Sequence, residues 1–495
     1  MWVKILLIFF VFAFSFRTDH SFDQDLGRHL KLGEIIVKTG NIPKINLFSY
    51  TNTDFPFINT HWLFEVMAYE FSQTIGLQTL LVLKVVIFLV SVLFIFKIIP
   101  KKDQALLLPI GFIFLHVLRE RLELRPEIFS FLFTVSIYYI LEKYLKTTTK
   151  LIFFIPLIQL IWVNTHIYFF IGLLLQVIFL IHMTYQYLRF NLEGCKLKIM
   201  SLTLVLSVLV SLVNPHGLNG LFYPLNVTKN YGYSIVENQT MFLLESINFK
   251  DPNFLFAKLS ACLVILSLLV TLIRRRFGIK NILLSLSGVV LALMNVRSFP
   301  YLIFLSLPST LENFSLGDLR FSPEKGKLCL PKPPPRWNVI MNTLAVVMLL
   351  IESFWYLSGD YYKSKSDLHQ TGLKYEEHIK GAMDFMLAKN LAGPIFNNFD
   401  IGSYIIYRGY PKYKVFVDGR PEAYPKEFFL DTYIPMQSDY SKFKLVEEKF
   451  KFQTVVFSRT DQTPWGRNFL QSIIKDPTWK VAYFDDFMLV FVKTL

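Results

Sequence analysis

The chain has 495 residues, of which 53% are hydrophobic and 16% aromatic, and its mean hydropathy is +0.42. An ordinary soluble protein of this length does not sustain such a composition, so the sequence predicts an integral membrane protein. The net charge of +14 points to no nucleic-acid partner, because the basic residues fall in short clusters between apolar runs rather than on one continuous face.

Residues Trp2 to Phe16 form an apolar run followed by no small-residue cleavage site, which predicts an uncleaved first span. In the next stretch, Ser21 to Thr51, Ser21 and Gln24 fit an S-x-x-Q capping box. The helix it would start stacks Asp25, His29 and Gly33 on one face and presents Leu26, Leu30, Ile36 and Val37 on another, as in a helix lying on a membrane surface. A second helix is expected from about Thr60, with His61 and Glu65 sharing a face.

Apolar runs then follow near 77–99, 105–118, 127–141, 151–164, 167–188, 199–213, 255–273, 281–295, 298–311 and 338–358. With the first span they predict a polytopic α-helical membrane protein of about eleven spans, several of them shorter than the roughly 20 residues of a perpendicular crossing. A cytoplasmic N-terminus makes every inner loop basic: Lys101/Lys102, Lys143/Lys146/Lys150, Arg189/Lys196/Lys198, Arg274/Arg275/Arg276 and the proline-containing linker Lys325 to Arg336. Residues 1–358 are thus expected to be a multispanning domain with a large outer loop over 17–76.

From Gly359 the charge rises and the apolar runs shrink to strand length. IFNNF, KVFVDGR, TVVFS and a hairpin WKVAYFDDFMLVFVK alternate with helical stretches at Asp439 to Phe450 and Gly466 to Ile474, which predicts an extracytoplasmic α/β domain over 359–495. The three cysteines, Cys195, Cys262 and Cys329, give no disulfide framework and no metal motif. There is no Walker loop, no G-x-G-x-x-G, no H-E-x-x-H and no G-x-S-x-G, so a nucleotide-driven pump or a soluble-type hydrolase has no support.

On this topology the outer face gathers Asp23, Asp25, His29, His61, Glu65, Arg119, Arg121, Arg125, Asn164, His166, Asn214, His216 and Arg297. Outer arginines run against the positive-inside bias, so something should hold them there. An anionic group at the membrane surface, such as a lipid-linked phosphate, would suit Arg121 and Arg125. Pairing with Glu120, Glu123 and Glu127 beside them is the competing account. Asp23 and Asp25 form a D-x-D pair that is a possible divalent-cation ligand, or simply capping and loop residues.

The motifs D-x-D-x-x-x-H-L (Asp23 to Leu30), G-x-I-P-x-x-x-x-F-S-Y-T (Gly40 to Thr51), H-W-L-x-E (His61 to Glu65), RPE-x-FSF (Arg125 to Phe131), WVN-x-H (Trp162 to His166) and NP-x-G (Asn214 to Gly217) together resemble bacterial multispanning members of the GT-C glycosyltransferase superfamily. The branch they are similar to is that of the protein O-mannosyltransferases and aminoarabinose transferases. FNN-x-x-x-G-x-Y (Phe396 to Tyr404) and VFVDGRPEAYP (Val415 to Pro425) resemble the C-terminal domain of many such members. The resemblance implies a sugar donor on a polyprenyl phosphate, chemistry at the outer face of the bacterial inner membrane, and a catalytic aspartate in the first outer loop. By position that aspartate is Asp23 or Asp25, and the pattern does not choose between them.

The resulting expectation is an inverting transfer of a hexosyl or pentosyl group to a saccharide, lipid or protein acceptor. Asp25 would be general base, and Asp23 would orient it or help hold a cation. Arg121, Arg125 and Arg297 would bind the donor phosphate. His29, His61, Glu65, Asn164 and His166 would line the sugar pocket, with Asp418 and Arg420 near the acceptor or in an internal salt bridge. The rival expectations are a transporter or flippase for a lipid-linked saccharide, and a non-catalytic assembly protein. A transporter usually places ionisable groups at the bilayer midplane, whereas here they lie at the outer ends of the runs.

Overall fold

Six helices among the described residues are long and apolar enough to cross a membrane: Thr79–Ile98, Glu127–Thr147, Ile167–Phe190, Gly194–Ser211, Pro252–Ile273 and Trp337–Leu357. Three shorter apolar helices, Trp2–Ser15, Lys150–Thr165 and Ile279–Met294, stand beside them. These come from a computed structural model that describes residues 2–190, 193–227, 231–274, 278–314, 335–365 and 367–494. Most of the expected linker Lys325 to Arg336, together with Arg275, Arg276 and Cys329, lies outside the described residues. The runs at 105–118 and 298–311 fold as short pieces, the helix Leu107–Leu115 running into a 3₁₀ turn His116–Arg121 and a π-turn Leu302–Ser306 running into Leu307–Phe314.

One ion pair joins the first two apolar segments. Lys84, fully buried in Thr79–Ile98, reaches Asp19 Oδ2 at 2.8 Å. The same carboxylate accepts the Leu124 backbone N–H and, through its other oxygen, the Ser21 hydroxyl and N–H. A buried charge needs this complete a set of partners.

The capping box is not formed, because the Ser21 hydroxyl is committed to Asp19. The chain instead enters through a π-turn, Phe22–Leu26, before the α-helix Gly27–Thr39. Leu26, Leu30 and Ile36 are buried as the periodicity requires, but Val37 is exposed. This helix packs on Trp62–Thr74 at Gly33, where a Cβ would stand 2.1 Å from the Glu65 carbonyl oxygen, so any larger residue would push the two helices apart.

The C-terminal region holds a four-stranded sheet of β1 (Ile395–Asn397), β2 (Thr454–Ser458), β3 (Trp479–Phe484) and β4 (Met488–Lys493), in the order β1-β2-β4-β3. β1 and β2 are parallel, with Phe396 opposite Val455, and the remaining pairs are antiparallel. Asp439 and Thr463 cap the expected helices, which run Tyr440–Phe450 and Pro464–Ile473.

The expected strand KVFVDGR does not join the sheet. The Asn397 side chain bonds Phe416 N–H and the Val417 carbonyl. Val415 pairs with the loop that follows the first helix pair, donating to the Phe48 carbonyl at 3.0 Å and accepting from Tyr50 N–H at 3.3 Å. Loop and tail therefore share backbone hydrogen bonds as well as a core. Phe57 and Tyr233, from two connecting loops, pack among Phe399, Phe416, Tyr424 and Phe429 of the tail.

Candidate functional site

The segments that connect the membrane-length helices place four arginines and three carboxylates in one linked ring. The 3₁₀ turn His116–Arg121 and the following bend, ended by Pro126, aim Arg121 and Arg125 at the same neighbour. Arg121 grips Glu127 with two parallel hydrogen bonds of 2.6 and 2.8 Å and reaches Glu237 Oε1 at 2.7 Å. Arg125 donates to the same Glu237 oxygen at 2.5 Å, and Arg297 donates to Glu237 Oε2 at 2.8 Å. Glu237 thus serves three guanidinium groups. Burial opposes its ionisation, but Arg121, Arg125 and Arg297 hold it well below the usual carboxylate range.

Asp25 closes the other side of the ring. Its carboxylate accepts from Arg28 at 3.2 Å and lies 3.4 Å from Arg125 Nε, while Arg125 also donates to the Gln24 side chain at 2.5 Å. Burial pushes the Asp25 carboxyl up, and the charges of Arg125 and Arg28 more than reverse it, leaving it below its ordinary value. Counting Arg28, Arg121, Arg125 and Arg297 against Asp25, Glu127 and Glu237 leaves one positive charge unmatched. Exposure differs around the ring: Arg121 is 4% exposed at its side chain, whereas Arg297 is 25%, Asp25 23% and Glu237 21%. A ligand would meet Arg297 and Asp25 before Arg121.

Asp23 does not face the ring. Two residues apart on a helical turn, side chains leave on nearly opposite sides, and Asp23 Oδ2 takes the His378 backbone N–H and Nδ1, each at 3.0 Å. Burial raises the Asp23 carboxyl, against the pull of His378. The D-x-D pair is therefore divided between a tail contact and the arginine ring. No group of three or more His, Cys, Asp or Glu side chains that could hold a metal ion occurs among the described residues.

Beside the ring lies a cluster of buried polar groups. His29 Nδ1 is 2.9 Å from Glu65 Oε1, and Asn59 donates to Glu65 Oε2 at 2.6 Å. The His61 ring sits between those of His29 and His166, at 5.6 and 5.5 Å. His166 in turn meets the Ser130 hydroxyl, which also accepts from Trp162. Burial, then the neighbouring His29, pushes His61 down to about 3. Asn164 is engaged with the Trp62 indole N–H at 2.8 Å and with two backbone carbonyls. His29, His61, Glu65 and His166 are thus brought together, while Asn164 serves as a packing partner.

The other charges expected on the outer face are internally paired. Arg119 bonds Asn253 and Tyr356. Glu123 bonds Arg17, His369 and the His20 N–H. Asp418 and Arg420 form a buried bidentate pair at 2.7 Å, and Arg420 reaches Asn46 at 3.0 Å. Glu237 and Arg28 are the ring members that sequence reasoning passed over. Glu237 stands outside every short motif and Arg28 occupies an unspecified position inside D-x-D-x-x-x-H-L, so only an excess of arginine hinted that a partner such as Glu237 had to exist.

No protein-family model matches the sequence, and no curated protein matches it. The structure does have relatives. It superposes on the archaeal oligosaccharyltransferase AglB of Archaeoglobus fulgidus, solved with an inhibitory peptide and a dolichol-phosphate, with a TM-score of 0.60 at 11% identity, over 92% of this chain and 69% of that one. This is a GT-C fold. ArnT of Cupriavidus metallidurans in the apo state also matches, at 12% identity over 99% of this chain and 97% of that one, with a TM-score of 0.45. Its complex with undecaprenyl phosphate gives 0.42. Within this fold, the ring lies where the turn carrying Asp25, the 116–127 turn, the loop around Glu237 and the tail converge.

Proposed function

We propose that the chain is an inverting glycosyltransferase of the bacterial inner membrane, moving a hexosyl or pentosyl group from a polyprenyl-phosphate donor to an extracytoplasmic saccharide, lipid or protein acceptor. The membrane unit is 1–358 with a cytoplasmic N-terminus, and the unit 359–495 stands outside. The observation that carries the reading is the ring itself: guanidinium groups in excess over carboxylates, tied in place before any ligand arrives and partly open at Arg297. Preorganised guanidinium groups bind phosphate in a bidentate way and stabilise charge as it develops on a departing phosphate. The dolichol-phosphate in the oligosaccharyltransferase that shares the fold is a lipid-linked phosphate of the kind such a ring suits.

In this mechanism Arg297 and Arg125 take the donor phosphate, and Asp25 faces the sugar carbon as positive charge builds there. The buried cluster of His29, His61, Glu65 and His166 offers hydrogen bonds to sugar hydroxyls. The acceptor oxygen bonds to the anomeric carbon, the carbon–phosphate oxygen bond breaks, and the polyprenyl phosphate leaves with the electron pair. Purified chain in lipid vesicles, given a polyprenyl-phosphate sugar pool, is expected to transfer sugar. An Asp23→Asn, Asp25→Asn double variant that kept full transfer would sink the reading.

A further inference from the structure

A second charged site stands at the head of the membrane-length helix Pro252–Ile273. It is on the ring's side of the bundle, because Asn253 bonds both Arg119 and Glu120, which lead directly into Arg121. A groove of about 690 Å³ opens there between residues 245–252, the first two turns of the helix, and Lys365 at the end of the short helix Asp360–Lys365. Three lysines and two carboxylates line it, which leaves one positive charge in excess. Lys258 is taken by Glu245, at 2.6 and 2.7 Å, and Asp251 caps the helix through the Asn253 N–H at 2.7 Å. Lys250 and Lys365 are exposed and, among the described residues, have no ion-pair partner. Two free ammonium groups over a concave floor suit a phosphate, which lysine binds as a point charge.

The surroundings of the groove define the rest of the ligand. Its floor is apolar, formed by Phe249, Phe254 and Leu255. Just before it, Phe242, Leu243, Ile247 and Phe249 are all exposed, a patch that is costly in water and suited to a segment resting on a membrane. Below it, Leu255, Leu259, Cys262, Leu266, Leu269 and Ile273 are exposed as well. Their spacing of three and four residues puts them on one face of the helix. An apolar stripe of about 27 Å therefore descends from the groove, close to the roughly 30 Å of a hydrocarbon core. A soluble anion would engage the lysines alone, whereas an amphiphile engages lysines and stripe together.

We propose that this groove binds the phosphate headgroup of an anionic membrane lipid, with Lys250 and Lys365 on the phosphate and the acyl chain along the stripe from Leu255 to Ile273. The site is separate from the arginine ring: the side chains of Arg119, Glu120 and Asn253, bonded to one another, stand between them. It stands whether or not the chain transfers sugar.

The test titrates the full purified chain in detergent micelles with phosphatidylglycerol or with phosphatidylcholine of the same acyl chains, and reads bound lipid by native mass spectrometry. Phosphatidylglycerol should bind about fivefold more tightly or better, because lysines at a membrane surface attract anionic headgroups. A Lys250→Gln, Lys365→Gln double variant should lose about tenfold in phosphatidylglycerol affinity, with phosphatidylcholine binding and thermal unfolding unchanged. Equal affinity for the two lipids, or a double variant that bound phosphatidylglycerol as the parent does, would overturn the inference. Loss of binding in Arg297→Gln but not in the lysine variant would put the headgroup in the ring and overturn it as well. Inorganic phosphate that bound as tightly as phosphatidylglycerol would remove the lipid from the assignment.

Discussion

Arg125 and Glu237 meet at 2.5 Å although 112 residues separate them in the chain. The same carboxylate anchors Arg121 and Arg297, so removing it leaves three guanidinium groups crowded together with only Glu127 and Asp25 beside them. Glu237→Ala should cost about 3 kcal/mol, the usual loss when one partner of a largely buried ion pair is deleted. Thermal unfolding in detergent checks this, and a variant as stable as the parent would show that the ring is not cross-braced by Glu237.

Asp25→Asn separates binding from turnover. Neutralising Asp25 frees Arg28 and Arg125 from a competing anion, so donor phosphate should bind at least as tightly as before. On the proposed mechanism transfer should nevertheless fall by about 100-fold, because that mechanism sets the Asp25 charge against the reacting carbon. Isotherms with a polyprenyl-phosphate sugar, set beside initial rates, give both quantities. Weakened binding with unchanged turnover would contradict the assignment.

His61 makes the folded chain sensitive to acid. Its folded value of about 3 lies below the 6.5 of the unfolded chain, so the unfolded state binds more protons between those limits. Stability is therefore fully present above pH 6.5 and falls as pH drops toward 3. At pH 5 this single group accounts for about 2 kcal/mol. Comparing melting temperatures at pH 7 and pH 5 for the parent and His61→Asn should show a smaller acid loss in the variant.

Gly33→Ala tests the helix contact beneath the site. The added Cβ would meet the Glu65 carbonyl at 2.1 Å, inside any allowed distance, so the helices Gly27–Thr39 and Trp62–Thr74 must separate. A loss of about 2 kcal/mol is expected, the range for overpacking a tight contact. A displaced Glu65 should also release His29, lowering transfer beyond what the change in folded population explains.

Asp23→Asn should behave as a tail-anchoring variant. It weakens the bond to His378 at 3.0 Å and leaves the arginine ring untouched. Faster limited proteolysis of the segment before Lys380, with donor binding retained, is the expected result.

Local periodicity carried much of the architecture. The helices at 79–98 and 252–273 stand close to their apolar runs because runs of about 20 such residues have few other solutions. The β3–β4 hairpin likewise follows from its alternating residues around Asp485 and Asp486. What was not legible depended on partners distant in sequence. Nothing local marks Glu237 as the hub of three arginines, and the strand propensity of 414–420 was overridden by Asn397 and by Phe48. The D-x-D motif read as one unit because spacing was visible and direction was not. Asp23 and Asp25 leave the turn on different sides, and only the placement of His378 and Arg125 reveals it.

The buried pair between Lys84 and Asp19 bears on how the chain enters the bilayer. A lysine within Thr79–Ile98 is costly in hydrocarbon until its counter-ion is beside it. Asp19 immediately follows the first apolar helix and emerges from the ribosome some 65 residues earlier. The helix that carries Lys84 is therefore expected to be stable in lipid only beside the first helix and its Asp19, so the two count as one unit of insertion.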